Sequence, residues 1–117
     1  MRIQAARESK KGEDACAAIC EGDDAPAAFA IFDGHSGKIS AKECAEIIPR
    51  RILDSGTPFD PKVVVDTFWA VDEELGKKKI FDGATAQLLL VDKAADGGLD
   101  CMLAWCGDSS AVHADVA

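Results

Sequence analysis

Four short motifs hold the residue types that hard-cation or proton chemistry needs: Glu13-Asp14, Asp33-Gly34-His35, Gly83-Ala84-Thr85-Ala86 and Gly107-Asp108-Ser109. A carboxylate placed just after a buried strand has a fixed backbone. A glycine beside it lets a peptide carbonyl approach the same ion. Oxygen donors of this kind favour Mg²⁺ or Mn²⁺ over zinc. His35 adds a group able to give up a proton near neutral pH. Each motif alone is weak, because Asp-Gly is an ordinary turn and the chain carries 21 Asp and Glu residues. Asp33-Gly34-His35 also reads as a plain turn feeding a helix, with Asp33 or Ser36 as its cap.

The elements that must hold these motifs follow from the apolar periodicity. Ala15 to Cys20 is a short apolar run ended by Glu21-Gly22-Asp23-Asp24, and Ala27 to Phe32 is a second, bounded by Pro26 and Asp33-Gly34. Both are expected strands. Ala41, Cys44, Ala45, Ile48 and Ile52 then share one helical face. Pro49 is expected to kink or interrupt that helix near its end. Asp60-Pro61 announces a second helix, with Val64, Phe68, Val71 and Leu75 on one face and Gly76 with Lys77-Lys78-Lys79 at its C-terminus. Thr85 to Val91 and Leu99 to Cys106 read as strands, and Ala111-Val112-His113 as the start of one more. The order β-β-α-α-β-β-β is grouped rather than alternating, so the fold class is α+β with largely antiparallel pairing.

Composition bounds the rest. A chain of 117 residues, 48% hydrophobic and 29% charged, fits one domain with a real core and not a disordered polar segment. No apolar run approaches the ~20 residues of a membrane span, and Met1 to Asp14 is too polar for a secretory leader. The net charge of −8 argues against nucleic acid and anionic membranes as partners. The five cysteines, without a leader, read as reduced thiols of an intracellular compartment, cytoplasm or organelle stroma, most of them as small buried hydrophobes. Trp69 and Trp105 are expected in the core or at an interface. His113 is expected to be a satisfied or exposed strand residue and not a ligand.

In order and spacing the four motifs resemble the N-terminal half of the metal-dependent protein serine/threonine phosphatases of type 2C. Glu13-Asp14 matches that family's opening Glu-Asp pair, and Phe32-Asp33-Gly34-His35 its Phe/Tyr-Asp-Gly-His. Gly83 to Ala86 matches its Gly-Ser/Ala-Thr-Ala, and Gly107-Asp108-Ser109 its Gly-Asp-Ser. The resemblance implies part of a β-sandwich of antiparallel sheets flanked by helices, acting on phosphoproteins. It implies that Asp33 bridges a pair of Mg²⁺ or Mn²⁺ ions, served by Glu13 and the carbonyl of Gly34, and that Asp14 holds a water on the metal. Asp108 then contributes to a weaker metal site, and His35 acts as general acid.

Three departures stand beside the match. Ser9 takes the place of a phosphate-holding Arg, with Arg7, Lys10 and Lys11 nearby but out of register, and Ser110 follows Ser109 where Arg is usual. The family's later Asp-Gly and Asp-Asn motifs are missing, so residues 1–117 are expected to be one truncated domain with little activity alone. Its partner would be a phosphoprotein substrate, or another chain covering the open half of the fold. The alternative is a non-catalytic binding subunit of a larger assembly.

Overall fold

The computed structural model describes residues 12–112. Strand β1 (Ala15–Cys20) and strand β2 (Ala27–Phe32) lead through a two-residue strand β3 (Gly34–His35) into helices α1 (Ile39–Asp54) and α2 (Pro61–Lys77). The short β4 (Gly83–Ala84), β5 (Ala86–Lys93) and β6 (Leu99–Cys106) complete the order. The four long strands form one antiparallel sheet in the order β1-β2-β5-β6, and β3 pairs with β4 as a separate two-stranded ladder. The α+β class and antiparallel pairing expected from the sequence are both present. Of the strand expected from Ala111, Ala111 and Val112 lie outside any strand among the described residues, and His113 lies outside those residues. Arg7, Ser9, Lys10 and Lys11 also lie outside them.

The sheet has two unequal faces because strand side chains alternate. Register places Ala28 opposite Leu90 and Ala30 opposite Leu88, and these residues, with Phe32 and Ala86, lie under the helices. Helix α1 closes this face with Ala41, Ile48 and Ile52, and α2 packs on α1 through Val64, Val71 and Leu75. A bidentate pair, Arg51 to Glu74 at 2.9 and 2.8 Å, ties the two helices at the surface. On the opposite face Ile31, Leu99, Leu103 and Trp105 stay exposed. No described element covers them.

Several local expectations need correction. Helix α1 runs through Pro49 without interruption, and the proline is buried in the core. Proline removes one backbone donor, and the packing of that helical face outweighs the loss. Asp60 does cap α2, accepting from the Lys62 N–H at 2.9 Å with Pro61 behind it. Gly76 remains helical, and Lys79 takes the left-handed position with φ 57°. All five cysteines are free thiols, but only Cys44 is even half-buried; Cys16, Cys20, Cys101 and Cys106 are exposed. The reason is register: Cys16, Cys20 and Cys101 sit on the face that the helices do not cover. Trp69 and Trp105 are likewise exposed, not in the core.

This asymmetry is measurable. Leu88→Ala, at a fully buried position, should lower unfolding free energy in urea by about 2–5 kcal/mol. Leu103→Ala, on the bare face, should cost no more than roughly 1 kcal/mol. Equal losses would mean that the second face is covered.

Candidate active site

The motif residues converge because three chain segments meet at one end of the sheet. Strand β1 starts just after Glu13-Asp14, β2 ends at Asp33, and the β3–β4 ladder sets Gly34 opposite Ala84 and His35 opposite Gly83. The Thr85 N–H donates to the Asp33 carbonyl at 2.9 Å, so β2 and the start of β5 stay joined at the site. Thr85 Oγ1 lies 2.7 Å from Ser109 Oγ, which anchors the turn carrying Asp108 to the same place.

Two glycines make this approach feasible. A side chain at Gly34 would collide with the Glu13 carbonyl oxygen, and one at Gly83 would collide with the His35 imidazole. Gly34 therefore lets the first strand region close on the Asp33 turn, and Gly83 forms the bed on which His35 lies.

The turn leaves the sheet through Ser36, with φ 60°, and Gly37, then enters α1 at once. Neither Asp33 nor Ser36 caps that helix. Its N-cap residue, Lys38, makes no side-chain cap bond. The cap comes from Asp82 instead, which accepts from the Ile39 N–H at 2.8 Å and the Ser40 N–H at 3.2 Å. Ser40 Oγ also lies 2.9 Å from both the Asp82 carbonyl oxygen and its Oδ1. These contacts satisfy orphan donors at the helix start and place a negative charge at its positive end. Asp82 has no local sequence signal as a cap, since it stands after the helix that it caps.

Electrostatically the site is an accumulation of like charge. Asp33 is hydrogen-bonded to the Asp14 side chain, and this contact, then the Asp14 charge, burial and Asp108, hold its carboxyl above the ordinary 3.8. His35 pulls weakly the other way. Burial alone would also raise Asp82, but the bonds from Ser40 and Ile39 outweigh it and hold that carboxyl below 3.8. Glu13 Oε2 accepts from the Gly37 N–H at 3.3 Å, so its carboxylate steadies the same turn. Asp33, His35 and Asp108 are exposed, and Glu13, Asp14 and Gly34 are half-buried. Among the described residues, no three His, Cys, Asp or Glu side chains form a ready-made metal-binding group.

An antiparallel sheet backed by two helices thus brings several carboxylates and one histidine to its strand ends. Residues 1–115 match the family model described as protein phosphatase 2C. The chain belongs to the protein phosphatase 2C family. It is 34% identical over 82 residues to protein phosphatase 2C homolog 1 of Saccharomyces cerevisiae, covering 62% of this chain and 29% of that one. A probable protein phosphatase of Dictyostelium discoideum is 40% identical over 79 residues, 58% of this chain and 8% of its own. Probable protein phosphatase 2C 21 of Arabidopsis thaliana is 42% identical over 43 residues, 37% of this chain and 12% of its own. The chain thus spans less than a third of the length of the curated relatives that it matches. No helix among the described residues is long and apolar enough to cross a membrane.

Two outcomes test the site's wiring. Without metal, Asp33→Asn removes a carboxylate whose ionisation the fold disfavours, because its folded pKa lies above 3.8. For an acid raised in this way stability falls as pH climbs through that window. The variant should therefore melt higher than the parent at neutral pH in EDTA; a lower melting temperature would refute the like-charge cluster. Asp82 is the opposite case: its contribution is present above the ordinary carboxylate range and is lost as pH falls through the lowered value. Asp82→Ala should lower the neutral-pH melting temperature and flatten its decline below about pH 4. Asp82→Asn should recover part of the neutral-pH loss, because its amide oxygen still accepts.

Proposed function

We propose that this chain provides the N-terminal part of a metal-dependent serine/threonine phosphatase site, cleaving phosphate from phosphoproteins by attack of water. One observation carries the reading: in a protein phosphatase 2C family chain, Asp33 is hydrogen-bonded to Asp14 at a strand end and lies within the fields of Asp108 and His35. The donors fit Mg²⁺ or Mn²⁺ in kind, being hard oxygens with an excess of negative charge. In number they are short of a full shell, which water or further ligands would complete. When bound, such ions would offset the charge of the phosphoryl oxygens and acidify water for in-line attack.

The chain's own residues have distinct parts. Asp33, with Glu13 and the Gly34 carbonyl, would hold the ions; Asp14 would orient the water; Asp108 would serve a weaker site. His35, lying on Gly83, gives its proton to the departing serine or threonine oxygen. The exposed thiols fit a reducing compartment.

Calorimetric titration with Mn²⁺ tests the assignment: Asp33→Asn should weaken binding about tenfold or more, and equal heats in the two proteins would sink it. With Mn²⁺ the lone chain should hydrolyse p-nitrophenyl phosphate poorly, and the C-terminal half of a relative's domain added in trans should raise the rate. A brisk rate from the lone chain, abolished by Asp33→Asn, would show that the shell is already sufficient.

A further inference from the structure

His35 stands on a ladder of two residue pairs, Gly34 opposite Ala84 and His35 opposite Gly83. A ladder this short has little pairing of its own to fix its position. It is pinned at both ends by bonds to other elements. At the Asp33 end the Thr85 N–H donates to the Asp33 carbonyl at 2.9 Å. At the His35 end the anchor is Asp82, the residue just before Gly83.

Asp82 is held through its side chain and its main chain alike. Its Oδ2 accepts from the Ile39 N–H at 2.8 Å and the Ser40 N–H at 3.2 Å. Ser40 Oγ stands 2.9 Å from Oδ1 and 2.9 Å from the Asp82 carbonyl oxygen, which belongs to the peptide group joining Asp82 to Gly83. Ser40 is buried, so its hydroxyl has little solvent to turn to. The turn after His35 is close on the same carboxylate: a Cβ at Gly37 would stand 2.8 Å from Asp82 Oδ2. The Gly37 N–H meanwhile donates to Glu13 Oε2 at 3.3 Å, so Glu13 and Asp82 grip that turn together. The His35 ring rests on the Gly83 backbone, where a Cβ would collide with Nε2 and Cε1. Any displacement of Asp82 therefore moves the surface that the ring touches.

Capping alone does not call for this arrangement. The residue just before a helix ordinarily supplies the cap, and here that residue, Lys38, makes no cap bond. A cap from position 38 would leave the helix start and the histidine independent. A cap from Asp82, 43 positions beyond Ile39, ties them together.

We propose that Asp82 is a positioning residue for His35, holding the imidazole where the serine or threonine oxygen departs. The part concerning that oxygen rests on the phosphatase reading above. In that step water forms the new bond to phosphorus. The bond to the serine or threonine oxygen breaks with its electron pair on the oxygen, which takes the His35 proton. The proton shed by the water returns to the histidine through solvent. Misplacing the donor slows reactions whose leaving group needs a proton. p-Nitrophenolate leaves without one.

Nuclear magnetic resonance of the full chain reads the position directly. A ring resting on Gly83 gives a cross-peak between the His35 ring protons and the Gly83 α-protons. Well below its melting temperature, Asp82→Ala should displace the Ile39 and Ser40 amide signals and abolish that cross-peak. Asp82→Asn, whose amide oxygen still accepts, should restore most of it. Ser40→Ala, which keeps both backbone cap bonds, should weaken it. An undiminished cross-peak in Asp82→Ala, with those amides displaced, would overturn the proposal, since Asp82 would then be a cap and nothing more. Should Asp82→Ala not fold, an undiminished cross-peak in Ser40→Ala overturns it equally. Activity separates the two readings, with Mn²⁺ and the C-terminal half of a relative's domain supplied. Asp82→Ala should lower kcat for a phosphothreonine peptide about tenfold or more, and that for p-nitrophenyl phosphate by no more than about threefold. Equal losses on both substrates would overturn the proposal. No phosphate release from either substrate by the parent chain refutes the phosphatase reading, and the hold of Asp82 on His35 then stands or falls on the cross-peak.

Discussion

The carboxylate of Asp82 holds the start of α1, and the geometry of the site depends on that contact. Between the end of β2 and the first turn of α1 the chain must leave the sheet, reverse through a left-handed Ser36, and begin a helix without a cap of its own. A helix start with exposed donors and a strained entry is unfavourable in isolation. Asp82 offsets this by accepting at Ile39 and Ser40. Because Asp82 immediately precedes Gly83, the same contact fixes the bed beneath His35. Cap, turn and histidine thus form one unit spanning both ends of the helical crossover.

A second constraint is the unequal treatment of the sheet's faces. The helices cover most of one face, at β1, β2 and β5, and the other presents Ile31, Leu103 and Trp105 to solvent. Between Ile31 and Trp105 in register, Gln87 keeps a buried side-chain oxygen without a partner among the described residues. A bare apolar face with an unsatisfied acceptor is energetically unfinished.

Much of the fold was legible in the sequence because strong local patterns and tertiary packing agree. Strands β1 and β2 were bounded by acidic and proline turns, and α2 by Asp60-Pro61, all interactions closed within a few residues. The spacing of Ala41, Ile48 and Ile52 likewise predicted the buried face of α1. The misread features depend on context. Pro49 was expected to disturb α1, but its buried packing tolerates the missing bond. The cysteines were read mostly as buried, yet register puts Cys16, Cys20 and Cys101 on the face that no described element covers.

At the site, sequence alone determined which residue types were present and in what order: Glu13-Asp14, Asp33-Gly34-His35, Gly83 to Ala86 and Asp108, enough to indicate the family. Tertiary structure alone decided which atoms meet. Asp82 as the cap of α1, Thr85 as the link between Asp33 and Ser109, and Glu13 on the Gly37 amide all join residues at least 24 positions apart. Thr85 also reaches the Asp33 carbonyl across the crossover. Periodicity and capping rules describe neighbours along the chain, because the forces they summarise act within one or two turns. A hydrogen bond across the crossover exists only after sheet register and helix packing have set the distance.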